Sequence, residues 1–183
     1  MKCSNCQQDG HNKATCKHLV EPDEAITISL DDDIVVKFAV LAALCSEVAT
    51  GLGKGYVEGV YQQALCMELQ SKSIRYVSEE TMPIMYKGFA IGGGLNHRLD
   101  IGLVSYLPFI FELKAIGRPL AAEHHWQLVR YMVYKKQPYG AVVNFSQSDK
   151  GSLEINFIVN HEDTYYLYNP ETQQGHALVD YGL

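Results

Sequence analysis

The sequence predicts an α/β or α+β domain in which helices flank a central sheet. Apolar residues recur at helical spacing in residues 34–49 and 57–72, and again in a segment that follows Pro119. Between and after these segments lie short apolar stretches separated by Gly, Pro and Asn, which is typical of strands and turns. The order of two helices, four strands, one helix and two strands indicates a sheet covered by helices.

Each predicted element has a local signal. Three acidic residues, Asp31 to Asp33, precede the first helix, where carboxylates stabilise a helix amino terminus, and GLGKG ends it. The third helix runs to about Lys136. Strands are predicted in residues 26–30, 75–80, 82–88, 97–106, 108–115, 139–145 and 153–159. The turn residues SDKG join the last two of these strands as a hairpin.

Length and composition limit the class of protein. The chain has 183 residues, of which 47% are hydrophobic and 20% charged, so it holds one ordinary domain with an appendage and is neither disordered nor collagenous. The longest apolar run, residues 38–45, is too short to span a bilayer. No basic region followed by an apolar one opens the chain, so we expect an intracellular protein with unoxidised cysteines.

The distribution of charge matters more than its sum. The formal net charge is -6, which by itself disfavours a nucleic-acid-binding protein. The acidic excess lies in residues 21–33 and 149–183, whereas residues 34–148 contain more basic than acidic side chains. The long middle of the chain is therefore compatible with a polyanionic partner.

The chain divides by composition into four segments. Residues 1–18 are polar and cysteine-rich, and residues 19–33 form a predicted acidic linker. Residues 34–160 contain the periodic elements and form the predicted core domain. Residues 161–183 form a carboxy-terminal extension, in which Tyr165, Tyr166 and Tyr168 would either cover a sheet edge or form a partner surface.

The amino-terminal segment contains four potential zinc ligands. They follow the spacing C-x2-C-x4-H-x4-C and are Cys3, Cys6, His11 and Cys16. Three thiolates and one imidazole complete a tetrahedral structural zinc site, and the metal would supply the folding energy that so short a segment lacks. The array resembles the CCHC zinc knuckle of nucleic-acid-binding proteins. Because no aromatic residue lies between the ligands, contact with nucleic acid and contact with a protein both stay open.

Two predicted strands carry charges in apolar surroundings. Glu112 and Lys114 alternate with Leu113, so they share one strand face, and Asp100 lies in a similar setting on the preceding strand. Buried charges need an ion partner or a metal. A structural Glu–Lys pair is one interpretation; the other is a pair of carboxylates for a hard divalent cation with an ammonium group beside them.

These residues resemble the D-x(n)-E-x-K signature of the PD-(D/E)XK nuclease superfamily, with Leu99 before the aspartate. GYVEGVYQQAL, residues 55–65, is similar to the G-x-x-E-x-x-Y motif that names the GxxExxY family. MPIMYKG, HRLDIGLV, FELKA, EHHWQLVRYM and VVNF follow in that family's order, over roughly residues 35–146. The resemblance implies a restriction-endonuclease-like core with a mixed central sheet.

The resemblance also implies a role for each matching residue. Asp100, Glu112 and Glu58 would hold Mg²⁺ or Mn²⁺, with the Leu113 carbonyl as a further ligand. Lys114 would position or activate the attacking water. The remaining matching positions, Gln127 and Tyr131, would support the site or contact substrate phosphate.

The function that follows is hydrolysis of phosphodiester bonds by a metal-activated water. The resemblance favours DNA over RNA as the substrate, and the helix with Gln127 and Tyr131 suggests end processing, although exonuclease and endonuclease activity both stay open. The alternative is a non-catalytic module that binds nucleic acid or protein through its zinc knuckle and a degenerate nuclease fold.

Overall fold

The computed structural model describes residues 25–87, 89–91 and 97–178. Its helices are α1 (Asp32–Leu52), α2 (Glu58–Ser71) and α3 (Ala122–Lys135). Its strands are β1 (Ile26–Thr27), β2 (Tyr76–Met82), β3 (Ile84–Tyr86), β4 (Phe89–Ile91), β5 (His97–Leu103), β6 (Phe109–Lys114), β7 (Tyr139–Asn144), β8 (Glu154–His161), β9 (Thr164–Asn169) and β10 (Gln174–Ala177). The predicted α+β class with a mixed sheet and flanking helices is confirmed. The predicted zinc site at Cys3, Cys6, His11 and Cys16 lies outside the described residues.

The central sheet has eight strands in the order β1-β10-β9-β8-β7-β6-β5-β2, and β3 and β4 form a separate hairpin. Neighbouring strands are antiparallel except β6 and β7, which are parallel and are connected through α3. Since parallel strands end at the same sheet edge, Lys114 at the end of β6 lies beside Asn144 at the end of β7. The predicted hairpin of the last two strands corresponds to the antiparallel pair β7 and β8.

Apolar side chains cover both faces of the sheet. On one face α1 and α2 pack on β6 through residues such as Phe38, Leu65 and Phe109, and the ring of Phe38 stacks on Phe157 at a centroid distance of 4.8 Å. On the other face α3 packs through Leu128 on Ile110 and Val142. Glu112 lies two residues after Ile110 on a regular strand and therefore belongs to the α3 face.

Helix α1 is 21 residues long and apolar enough to cross a membrane by length and composition alone. The helix extends beyond the apolar run of residues 38–45, and polar residues flank this run on both sides. The run alone is therefore shorter than a bilayer-spanning segment, although the whole helix is long enough. Its buried stripe, with Phe38, Leu41 and Leu44, packs against the sheet. This packing is that of a core helix in a globular domain.

Strands that lie outside residues 34–160 take part in the central sheet at both ends of the chain. Within the predicted linker, the strand expected at residues 26–30 is present as β1, which pairs with β10, and the side chain of Ile28 is fully buried. Within the predicted carboxy-terminal extension, β9 and β10 continue the sheet, and Tyr168 is 3% exposed in the core. β1 and β10 pair across the two ends of the chain, and a local sequence pattern contains no signal for such pairing.

Candidate active site

Two acidic side chains and a lysine meet on strands β5 and β6. Asp100 and Glu112 are 9% and 1% exposed, and each is the chain neighbour of a residue in the pair Ile101↔Phe111, the last pair that joins β5 to β6. The Leu113 amide donates a hydrogen bond of 2.7 Å to Asp100 Oδ2. Lys114 Nζ donates to Glu112 Oε1 and forms an ion pair with it. The structure therefore brings together three of the predicted catalytic residues.

Glu112 is a buried carboxylate whose second oxygen, Oε2, lacks a hydrogen-bond partner. Burial raises its pKa to about 8, and the charge of Asp100 adds to the rise while Lys114 opposes it. An orphaned carboxylate oxygen in a protein interior is costly unless a cation or a proton binds it. Glu112 Oε2 is therefore a free acceptor in a carboxylate that the charge of Asp100 influences.

Glu58 is the first residue of α2 and is partly buried. Burial raises its pKa, Lys114 lowers it and the charge of Asp100 raises it again, so Glu58 shares the electrostatic environment of the β5–β6 pair. Asp100 likewise has a pKa raised by burial and opposed by the Leu113 amide and Lys114. For Lys114, burial lowers the pKa, but the charge of Glu112 and its hydrogen bond outweigh this effect, and the net shift is upward.

The loop before α2 sets the position of Glu58. Gly55 has a φ of 99°, which L side chains rarely adopt, so this turn requires a glycine. Tyr61 Oη donates to the Gly53 carbonyl at 2.8 Å, and the Tyr61 ring stacks on Phe145 at 4.5 Å. The first glycine and the tyrosine of the G-x-x-E-x-x-Y motif thus shape and anchor the turn that carries its glutamate.

Gln147 completes this anchor and was not predicted from the sequence. Its Nε2 donates to Tyr61 Oη at 3.0 Å, and its Oε1 accepts the Gly55 amide at 2.7 Å. Gln147 follows β7, so it connects the loop before α2 to the sheet edge where Lys114 lies. A glutamine in a polar loop gives no sequence signal for contacts with residues 86 and 92 positions away.

Gln127 and Tyr131 form a hydrogen-bonded chain beneath β5. Gln127 Nε2 donates to Tyr131 Oη at 3.2 Å, and Tyr131 Oη donates to the Arg98 carbonyl at 3.0 Å. Tyr131 is 2% exposed, and burial raises its pKa to about 12. Two roles were predicted for these residues, support of the site and contact with substrate phosphate. The geometry of Tyr131 agrees with the first role, because its hydroxyl binds the main chain of the strand that carries Asp100.

Gln62 is a second residue that was not predicted. It lies one helical turn after Glu58 on α2, is 8% exposed, and its Nε2 donates to the Asp100 carbonyl at 3.0 Å. The available signal was its spacing, because residues four apart share a helix face. Gln62 therefore connects α2 to the main chain of the central aspartate.

The oxygen donors of Asp100 and Glu112 suit in part the divalent metal that the resemblance implies. Within residues 25–87, 89–91 and 97–178, no group of three or more His, Cys, Asp or Glu side chains lies together at metal-binding spacing. The chemistry of the pair itself fits a hard cation, because Asp100 and Glu112 offer carboxylate oxygens and Glu112 Oε2 has no other partner. Glu58 does not complete a three-carboxylate cluster in this arrangement.

A mixed sheet that presents an aspartate and a Glu-x-Lys on neighbouring strands, between helices, defines a nuclease-like core of the PD-(D/E)XK class. The family model of the PD-(D/E)XK nuclease superfamily matches residues 35–156, and the chain belongs to this superfamily. Its members generally use divalent metals such as Mg²⁺. No curated protein and no solved structure matches the chain.

Proposed function

We propose that this protein is a nuclease that hydrolyses phosphodiester bonds of nucleic acid and depends on Mg²⁺ or Mn²⁺. The observation that carries the proposal is Glu112, a buried carboxylate with an orphaned oxygen beside Asp100 and Lys114. Superfamily membership supports a nuclease-type enzyme. Assignment to the GxxExxY family rests on the motif around Glu58 and the anchoring of its turn by Tyr61.

The residues of the site divide the chemical work. Asp100, Glu112 and the Leu113 carbonyl would hold the metal, with Glu58 able to approach from the amino terminus of α2. The bound metal supplies a Lewis acid for the scissile phosphate and lowers the pKa of a water. Lys114 is mostly buried and cationic, so it orients the attacking water and stabilises negative charge that develops on the phosphate.

Gln127 and Tyr131 support this arrangement from the α3 face. Their hydrogen bonds end at the Arg98 carbonyl, two residues before Asp100. They act on the catalytic geometry by holding β5, and Gln127, which is partly exposed, is available to contact a substrate phosphate. DNA is the proposed substrate, on the basis of the superfamily.

The remaining parts of the proposal concern segments outside the site. Cys3, Cys6, His11 and Cys16 are proposed to bind structural Zn²⁺ as a knuckle that contacts nucleic acid or a protein partner. We also propose an intracellular location. Zinc content measured by elemental analysis in the wild type and in Cys6→Ser tests the knuckle; equal zinc in both proteins would contradict it.

A non-catalytic binding module is the second candidate function. It is favoured by the ion pair between Lys114 and Glu112 and by the lack, within the part of the chain that the structure describes, of a three-ligand metal cluster. Such a module would bind nucleic acid or protein without cleaving it. If this second function is correct, the protein should bind a labelled DNA in Mg²⁺ or Mn²⁺ without forming any cleavage product.

The deciding experiment incubates the purified full chain with single-stranded, linear duplex and circular DNA and with RNA. We expect cleavage in Mg²⁺ or Mn²⁺ and none in EDTA. Glu112→Gln and Lys114→Ala should each lower the rate about a thousandfold, equivalent to about 4 kcal/mol of transition-state stabilisation. Glu47→Gln, which alters an exposed carboxylate of α1, is the control. Equal rates in all four proteins would refute the catalytic assignment, and nicking of the circle identifies an endonuclease.

A further inference from the structure

We propose that Gln62 is a positioning residue that replaces a missing strand contact at Asp100 and thereby fixes the catalytic aspartate relative to α2. The inference rests on the proposed function, because it assigns a task to Gln62 in the same site. The main-chain and side-chain contacts that support it lie in β2, β5 and α2.

The antiparallel pairing of β2 and β5 is interrupted at Asp100. Ser78 pairs with Ile101 and Glu80 pairs with Leu99, but the position between them, Glu79 opposite Asp100, is not paired. Glu79 has a φ of 57°, in the left-handed region that non-glycine residues seldom adopt. Main-chain distortion of this kind is concentrated at functional sites.

The distortion extends to β5 itself. Leu99 packs in the cluster under α3, whereas Ile101 packs in the cluster under α1 and α2. On a regular strand two residues at this spacing would share a face, so the strand turns at Asp100. In the β5–β6 register the paired residues are Ile101 and Gly102, which shows that β5 leaves β6 at the same point.

Side chains take the place of the lost strand contacts. A buried carbonyl needs a donor, and the Asp100 carbonyl receives one from Gln62 Nε2 at 3.0 Å. On the other side, the Leu113 amide donates to Asp100 Oδ2 at 2.7 Å. Asp100 is therefore held through its main chain by α2 and through its carboxylate by β6.

This arrangement couples two parts of the site. Glu58 precedes Gln62 by one helical turn, so the two side chains lie on the same face of α2. The helix face that carries Glu58 therefore also forms the hydrogen bond to Asp100. A regular β2–β5 pair would satisfy the Asp100 carbonyl without a helix. At the interruption beside Glu79 the donor comes from Gln62 instead, so we expect the distance between the Glu58 and Asp100 carboxylates to depend on this hydrogen bond.

The test compares Gln62→Met, which keeps length but removes the donor, with Gln63→Met, which changes the exposed neighbour on α2. We expect Gln62→Met to lower kcat about tenfold with little change in KM and to raise the Mg²⁺ concentration needed for half-maximal activity. In metal-free protein, the amide NMR resonance of Leu113 should shift, because it reports the position of Asp100 Oδ2. Gln63→Met should match the wild type in every measurement.

A second pair of variants keeps the test decisive if Gln62→Met does not fold. Glu79→Gly allows the left-handed φ and should preserve the Leu113 resonance, whereas the β-branched Glu79→Val opposes that φ and should shift it. An unchanged Leu113 resonance in both Gln62→Met and Glu79→Val would overturn the proposal. If the wild type fails to cleave nucleic acid but the Leu113 shift occurs, the proposed function fails while the positioning by Gln62 stands.

Discussion

The strand pairs β6–β7 and β2–β5 support opposite halves of the site, and they are built differently. The first pairs without interruption from Phe109↔Tyr139 to Lys114↔Asn144, whereas the second breaks at Glu79 and Asp100. Regular pairing uses every main-chain group and leaves side chains to pack, so it holds Glu112 and Lys114 in fixed directions. An interrupted pair leaves main-chain groups free, and helices α2 and α3 reach β5 through Gln62 and Tyr131. We therefore expect β6–β7 to contribute most to the stability of the sheet and β2–β5 to determine the position of Asp100.

The largest predicted effect comes from the regular pair. Phe109 is fully buried and packs on Phe38 and Phe111, so Phe109→Ala should lower the free energy of unfolding by about 3–5 kcal/mol. Urea denaturation measures the loss, and the folded fraction should keep its cleavage rate. If the rate falls while the stability does not, the division of labour between the two strand pairs is wrong.

The second prediction replaces the ion pair at the end of β6. Glu112 and Lys114 are 1% and 14% exposed, and a buried ion pair exchanged for apolar groups often stabilises a protein. Glu112→Leu combined with Lys114→Met should raise the unfolding free energy of the metal-free protein by about 1–4 kcal/mol and abolish cleavage. The single variant Lys114→Met leaves Glu112 without its cation and should be less stable than the wild type. If the double variant is less stable than Lys114→Met, the Glu112–Lys114 ion pair stabilises the fold, and our interpretation that the pair serves function rather than stability is wrong.

The third prediction weakens the hold on β5. Tyr131→Phe removes the hydroxyl that binds the Arg98 carbonyl and Gln127, which should cost about 0.5–1.5 kcal/mol of unfolding free energy. It should also lower the cleavage rate, because β5 carries Asp100. Tyr139→Phe, on the regular strand β7, is the matched control and should preserve the rate. Equal rates in the two variants would mean that the Tyr131 hydroxyl does not influence the site.

The regular parts of this arrangement were predictable from the sequence. Alternation around Leu113 predicted that Glu112 and Lys114 share a strand face, and their ion pair agrees with this prediction. The strand that carries Asp100 was expected next to β6, and β5 is its neighbour. Gln127 and Tyr131 lie four positions apart on the predicted third helix, a spacing that puts two side chains on one helix face, and they form a hydrogen bond. These predictions depend on the periods of helix and strand, which a short sequence window contains.

The irregular parts were not predictable in this way. Glu79 adopts a left-handed φ without the glycine that usually indicates one, so the interruption of β2 has no local signature. The hydrogen bond from Gln62 to Asp100 joins residues 38 positions apart, and that from Gln147 to Tyr61 joins residues 86 apart. Neither partner can be recognised from a short sequence window, because the chain brings the two residues together only when the sheet and helices assemble. Sequence patterns therefore located the carboxylates and the lysine but not the side chains that orient them.

The smallest predicted effect concerns the outer end of the interrupted pair. Lys135 on α3 binds both carboxylate oxygens of Glu80, at 2.7 and 2.9 Å, immediately after the distorted Glu79. Both side chains are about one-third exposed, so solvent weakens the attraction, and Glu80→Gln should cost about 0.2–1 kcal/mol. Thermal denaturation at low and high salt measures this loss, which should shrink as salt increases. The cleavage rate should not change, because the pair ties β2 to α3 without contact to Asp100. A rate loss as large as that of Gln62→Met would show that the whole outer half of β2, rather than Gln62, holds the aspartate in place.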